Sequence, residues 1–241
     1  MILNKFKHTI NRKINYMVNR QLSALQTSFS YAQLSNLFDK AVFLPMTSWS
    51  LSPNLILHVL NDIEINSRQC IVEFGSGAST IYIAQLLKIS NSKSKFYSIE
   101  SDEIWASKIL KQLVRLDLQD YVDITLAPKR KVPIDLAYKN QEIWYDVKAI
   151  DKKFTGLEKI DLMLIDGPSG DNTPFARFSA IPFFKNKLAN SFCIFLDDTN
   201  RFYEAQIVSL WQKELNCNLR TLTGYTLLTA NTSFGFTPYS L

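Results

Sequence analysis

Residues 71–80 read IVEFGSGAST, a short apolar run that ends on a carboxylate, Glu73, and breaks into a turn of Gly75, Ser76 and Gly77 before two hydroxyls, Ser79 and Thr80. Glycines in such a turn let a ligand come into contact with the main chain. The apolar run followed by the amphipathic stretch STIYIAQLLK has the order strand, turn, helix. No Lys or Arg stands between Ile71 and Leu87, and Glu73 precedes the first glycine by two residues, so the turn is badly suited to phosphate. The GxxxxGK[ST] pattern of a Walker loop is absent, and Thr80 occupies the place of the third glycine in a dinucleotide fingerprint. A ligand carrying a cation and a ribose suits it better.

The same alternation continues outward. After QCIVEF come the strand KFYSI, the helix DEIWASKILKQLVRL and the strand VDITLA. The pattern then resumes with the strand KIDLMLID, the helix FARFSAIPFFKNKL, the strand SFCIFLD and the helix FYEAQIVSLWQKEL. Strands alternating with helices of this length predict parallel βαβ units. The closing segment NLRTLTGYTLLTANTSFGFTP, with turn signals at Gly224 and Asn231, predicts antiparallel strands at one edge. Upstream, Ser52 and Pro53 in LSPNLILHVLNDI are placed as N-cap and first residue of a helix running to about Asn61. The charged stretch KRKVPIDLAYKNQEIWYDVKAIDKKF is too long for a simple loop and is expected to hold a helix and to line or cover something.

A chain of 241 residues with 46% hydrophobic content predicts one main domain, residues 46–241, preceded by a helical arm, residues 1–45. Three scattered cysteines give no disulfide framework and point to a reducing, cytoplasmic compartment. His8 and His58 lack neighbours at metal-ligand spacing, which argues against zinc chemistry and a histidine-based triad. No apolar run is long enough to span a membrane. Residues 1–38 hold Lys5, Lys7, Arg12, Lys13 and Arg20 and no acid, so the net charge of +5 belongs to the arm. Within it Ile2, Phe6, Ile10, Ile14 and Val18 recur at helical spacing. The expected partner of that stripe is the chain's own domain or a twin subunit, giving a homodimer; the alternative is peripheral contact of residues 1–20 with an anionic membrane. Without a basic stripe elsewhere, nucleic acid is not expected.

Acids stand at the predicted strand ends: Glu73, Glu100, Asp166, and Asp197 with Asp198. In open parallel sheets ligands bind beyond the carboxyl ends of the strands, where strand order reverses. VEFGSGAST followed by SIES resembles the first two motifs of the class I S-adenosylmethionine-dependent methyltransferases, and LIDGPSG and FLDD are similar to that family's fourth and fifth strand ends. The resemblance implies a Rossmann-like α/β three-layer sandwich. Its sheet would have seven mostly parallel strands and a C-terminal antiparallel hairpin, with added N-terminal helices. It further implies S-adenosylmethionine as cofactor and a small-molecule acceptor. By that likeness Glu73 approaches the cofactor's amino group, Gly75, Ser76 and Gly77 meet its carboxylate and ribose, Glu100 accepts the ribose hydroxyls, and Leu126 and Ala127 border the adenine. Phe74, Ser79, Thr80, Ser101, Asp166 and Gly167 complete the implied cofactor set. Other readings of the turn are an NAD(P)-binding oxidoreductase and a non-catalytic cofactor-binding module.

Methyl transfer to a hydroxyl needs a base, or a metal that acidifies the hydroxyl. LIDGPSGD and FLDDTN resemble the strand ends that supply divalent-metal ligands in catechol-type O-methyltransferases. Carried over, Asp166, Asp197 and Asp198 would hold Mg2+ or a similar ion, although Asp198 stands where that subfamily has an amide. The metal-free alternative makes Asp166 or Asp198 the base. Trp49, Trp144 and Tyr145 are candidates for the acceptor pocket.

Overall fold

The computed structural model describes residues 2–39, 42–156, 159–170 and 173–239, with side chains of the first helix described at 14, 17, 18 and from 20 onward. Helix α1 (Ile2–Ser35) and α2 (Pro53–Ile65) lead into the alternating part. That part comprises β1 (Cys70–Phe74), α3 (Ala78–Ile89), β2 (Lys95–Glu100), α4 (Glu103–Arg115), β3 (Asp123–Leu126), β4 (Lys129–Lys131), β5 (Ile143–Tyr145), α5 (Val147–Phe154) and β6 (Ile160–Ile165). It ends with α6 (Ala180–Phe184), β7 (Leu188–Asp197), α7 (Phe202–Leu215), β8 (Asn218–Thr221) and β9 (Tyr225–Ala230).

Seven strands form one sheet in the order β3-β2-β1-β6-β7-β9-β8. Neighbours from β3 to β7 run parallel, while β9 runs antiparallel to both β7 and β8. The central strands are apolar on both faces, as a sheet covered by helices on both sides requires. On one face Phe74, Met163 and Ile194 pack with Phe154 of α5, Phe184 of α6 and Trp211 of α7. On the other, Ile71, Leu162 and Phe195 pack with Leu55 and Val59 of α2, Ile83 of α3 and Leu113 of α4. The result is the expected three-layer α/β sandwich with its antiparallel terminal hairpin. Strand order reverses between β1 and β6, which opens a crevice at their carboxyl ends.

Local signals set most element starts. The Ser52 side chain accepts from the amide of Leu55 at 3.2 Å, with Pro53 at the first helical position. Asp102 does the same for α4 through the amide of Trp105 at 2.9 Å. The stretch expected as one helix over residues 175–188 instead forms a turn and the five-residue α6. Pro182 lies in the first turn of that short helix, where its missing N–H costs nothing; a helix starting at 175 would bury it mid-helix, and Phe175 has a φ of 60°. The charged segment holds the two-stranded β4–β5 pair and α5, whose cap Asp146 accepts from the amides of Lys148 and Ala149.

The C-terminal part of helix α1 packs on its own domain, with Leu34 in the core beside α2, Thr27 Oγ1 accepting from Asn54 Nδ2 at 3.4 Å and the Phe29 ring 5.8 Å from that of Tyr239. Of the stripe expected from sequence, the side chains of Ile2, Phe6 and Ile10 lie outside those described. Ser30 and Leu34 are buried, but Ile14, Met17, Val18, Leu22, Leu25 and Phe29 are exposed. Their spacing of three and four residues makes one apolar stripe left open along the helix. No helix among the described residues is long and apolar enough to cross a membrane.

Candidate active site

The crevice is built first from main chain. Gly75 sits in the left-handed region at φ 90°, and its amide donates to the carbonyl of Ile99 at 2.8 Å. The amides of Asp166 and Gly167 both donate to the carbonyl of Phe74, at 3.0 and 2.8 Å. These bonds bring the turns after β1 and β6 so close that a Cβ on Gly75 would lie 3.3 Å from the Gly167 nitrogen. A Cβ on Gly167 would overlap the Tyr145 hydroxyl. Gly77 has open space on its Cβ side.

Beneath this turn Glu73 is fully buried. Its Oε1 accepts from Ser79 Oγ at 2.5 Å, and its Oε2 accepts from Thr80 Oγ1 at 2.5 Å and Ser98 Oγ at 2.7 Å. Thr80 Oγ1 in turn accepts from the amide of Gly77 at 2.8 Å, so the carboxyl fixes the first turn of α3 through one relay. Burial raises the Glu73 pKa from 4.5 to about 7 against the pull of the three hydroxyls, and Asp166 adds to the rise. The expected approach of Glu73 to a ligand amino group is therefore corrected: both oxygens are engaged behind the wall. Phe74 and Thr80 are likewise buried, and Phe74 contributes only its carbonyl.

A cavity of about 560 Å³ lies over the turn. Gly75, Ser76, Gly77, Ser79, Glu100, Ser101, Asp166 and Gly167 all line it, and Pro45, Thr47, Trp49 and Leu51 from the loop before α2 close its side. Glu100 is positioned by main chain, accepting from the amides of Ser76 (3.0 Å), Ser101 (2.6 Å) and Asp102 (2.8 Å). Trp105, not singled out from sequence, joins the wall and donates through Nε1 to the Ser76 carbonyl at 2.7 Å. Leu126 and Ala127 do not reach this cavity; Leu126 is turned to solvent, and the amide of Ala127 closes on the Glu100 carbonyl at 2.7 Å.

The ends of β6 and β7 gather three acids, one oxygen each of Asp166, Asp197 and Asp198 lying within 4.8 Å of the others. Arg177, from the stretch whose sequence predicts a helix, enters this group. Its Nη2 donates to Asp166 Oδ1 at 3.1 Å and to Asp198 Oδ2 at 2.9 Å, and its Nη1 donates to the Asp197 carbonyl at 3.0 Å. Arg201 adds a second ion pair to Asp198 Oδ2 at 2.8 Å. Burial raises the Asp166 pKa, Arg177 opposes the rise and Asp198 adds to it. Asp197 is pushed up to about 7 by burial, then by Asp166 and Asp198. Arg177 and Arg201 set two positive charges against Asp166 Oδ1 and Asp198 Oδ2, which opposes a divalent ion at this set, while the Asp197 carboxylate has no ion pair among the described residues.

The two adjacent aromatics part company. Tyr145 lines the cavity, and none of the described residues hydrogen-bonds its hydroxyl; burial, Glu100 and Asp166 hold its pKa well above the ordinary phenol value. Trp144 is corrected to a core residue, fully buried with its ring centroid 6.1 Å from that of Phe74 and 5.4 Å from that of Phe183. Trp49 is 86% exposed at the tip of a turn closed by the Ser50 amide on the Thr47 carbonyl. His58 is buried far from this chemistry, its Nδ1 2.9 Å from the Tyr225 hydroxyl and its pKa lowered to about 3 by burial and then by Arg220.

No protein-family model matches the chain, and a search of curated proteins finds no match. Solved structures do. The O-methyltransferase of Bacillus cereus in complex with SAH superposes with a TM-score of 0.55 at 14% identity, covering 85% of this chain and 90% of its own. TomG of Streptomyces achromogenes, an O-methyltransferase of tomaymycin synthesis in complex with SAM, gives 0.54 at 13%, covering 85% and 89%. A precorrin-6y C5,15-methyltransferase of Geobacter metallireducens gives 0.55 at 13%, covering 81% and 97%. The chain thus has the Rossmann-like methyltransferase fold, an architecture shared by proteins named for oxygen and for carbon acceptors.

Proposed function

We propose that this chain is an S-adenosylmethionine-dependent methyltransferase acting on a hydroxyl of a small molecule or sugar-type acceptor. The observation that carries the reading is one cavity lined by the side-chain-poor turn, Glu100 and Asp166 together. S-adenosylmethionine, when bound, supplies a methyl group on a sulfonium that is already a good leaving group. The residues present fit it: no basic side chain stands in the turn, Gly77 leaves its approach open, and Glu100 offers carboxylate oxygens to a ribose diol.

The protein's work is then positioning and one proton. Asp166 Oδ1 is held by Arg177, and no described residue donates to Oδ2, which is left to take the hydroxyl proton as the acceptor oxygen forms its bond to the methyl carbon and the carbon–sulfur bond breaks. Asp198, held by both arginines, supports this arrangement, and Trp49 and Tyr145 border the acceptor. Calorimetry tests the cofactor reading. S-adenosylhomocysteine should bind in the micromolar range or tighter, and Glu100→Ala should weaken it by about 1–3 kcal/mol, the scale of a charged acceptor's lost hydrogen bonds. Heat on addition of NAD with none for S-adenosylhomocysteine would instead favour a nicotinamide enzyme.

The open stripe of α1 supports a membrane partner for the arm. Five basic residues and no acid in residues 1–38, joined to an apolar face that runs from Ile14 to Phe29, suit an anionic membrane surface better than a second copy bearing the same charge. The three free cysteines suit a reducing compartment such as the cytoplasm. The full chain should sediment with vesicles containing an anionic lipid, not with neutral ones, and salt should release it. A concentration-dependent dimer without sedimentation, abolished by Leu22→Ser with Leu25→Ser, would assign the stripe to a twin subunit.

A further inference from the structure

Arg177 stands in the apolar stretch FARFSAIPFF and its side chain is only 6% exposed. A guanidinium out of water is costly unless its donors are paired, and this one is paired in a particular way. Its fork reaches both strand ends at once, through Asp166 after β6 and through Asp198 and the Asp197 carbonyl of β7. The turn that presents it carries Phe175 in the left-handed region, and the aromatic rings of Tyr138 and Tyr203 pack on Phe175 at 5.0 Å between centroids. The arginine is thus held from behind by packing and from the front by three acceptors.

We infer that Arg177 is the resident cation of this carboxylate cluster, taking the place of a divalent ion and positioning Asp166. The three acids are close enough to chelate, and by themselves would call for a cation or a shared proton. The guanidinium answers that need with a charge that cannot be chelated away or deprotonated. Its planar fork holds Asp166 Oδ1 and Asp198 Oδ2 on the same nitrogen, so the two carboxylates are set at a fixed separation. A dication brought to the same acids would face Arg177 and Arg201 at contact range. The inference rests on the proposed function only in calling Asp166 the acceptor-side residue; the charge arrangement stands without it.

Metal binding tests it without turnover. Electron paramagnetic resonance of added Mn2+ should show no stoichiometric site in the wild-type protein. Arg177→Met removes the charge while keeping an unbranched side chain, and should bind Mn2+ at least about tenfold tighter than the wild type, through carboxylates left without their partner. Arg177→Lys keeps the charge and loses the fork, so it should still exclude Mn2+ while lowering kcat more than it raises the cofactor Kd. Stoichiometric Mn2+ binding by the wild type, or a folded Arg177→Met variant with no gain, overturns the inference. If the methionine variant does not fold, the wild-type titration and the lysine variant decide: exclusion by both supports the inference, and binding by either refutes it. Failure of the methyltransferase reading would show separately, as absent S-adenosylhomocysteine binding.

Discussion

Asp166→Asn should abolish most turnover, by a factor of about 10²–10⁴, the range of general acid–base catalysis, while cofactor affinity stays within a few-fold of the wild type. The substitution keeps size and shape. An amide oxygen can still accept from Arg177 Nη2, so the 3.1 Å contact has a replacement and the strand ends stay together. What is lost is the ability to take a proton. The check is a pair of measurements on one preparation: turnover of labelled S-adenosylmethionine on a panel of hydroxylated acceptors, and calorimetric binding of the demethylated product. Turnover that survives the change would remove Asp166 from the chemistry. A fall in cofactor affinity equal to the fall in rate would make it a binding group.

Glu73→Gln should remove a large pH dependence from the stability of the fold. The Glu73 pKa rises on folding from 4.5 to about 7, so the folded protein binds this proton more tightly than the unfolded chain does. That contribution is fully present below about pH 4.5 and is lost as pH climbs through about 7, a change on the order of 3 kcal/mol. Asp197 acts in the same sense and is unchanged in the variant, so the difference between the two proteins isolates Glu73. Denaturant unfolding near pH 5 and near pH 8 should show the wild type losing about 3 kcal/mol more than the variant across the interval. Equal losses would mean that Glu73 does not keep its proton in the folded protein.

The fold was legible because its signals are local. Apolar runs alternating with amphipathic stretches, Ser52 before Pro53 and Asp102 before Glu103 all act within a few residues. The cavity wall around Gly75, Gly77 and Glu100 was legible for the same reason. Glu73 was not. Its partners Ser79 and Thr80 are near in sequence, but Ser98 meets it through strand register, which a single sequence does not display. Trp144 could have been separated from Tyr145, since neighbours on a strand face opposite ways and only one can reach a cavity on one side. Arg177 gave one faint sign, a lone base among aromatics. Its role became visible only once two distant strand ends were side by side.

The contact between Gly75 and Gly167 also bears on how this scaffold could change its acceptor. The cavity floor is backbone meeting backbone, with 3.3 Å left for any added carbon and a buried phenol above Gly167. Substitution there would first disturb the join between the two halves of the sheet, so the floor offers little freedom for drift or design. The rim is different. Trp49 and Thr47 stand on a loop outside the sheet, and Lys129 stands on the small β4–β5 pair that the main sheet does not include. A library confined to those three positions leaves the cofactor wall and the β1–β6 join untouched, and new acceptor preferences should arise there before they arise at any glycine of the turn.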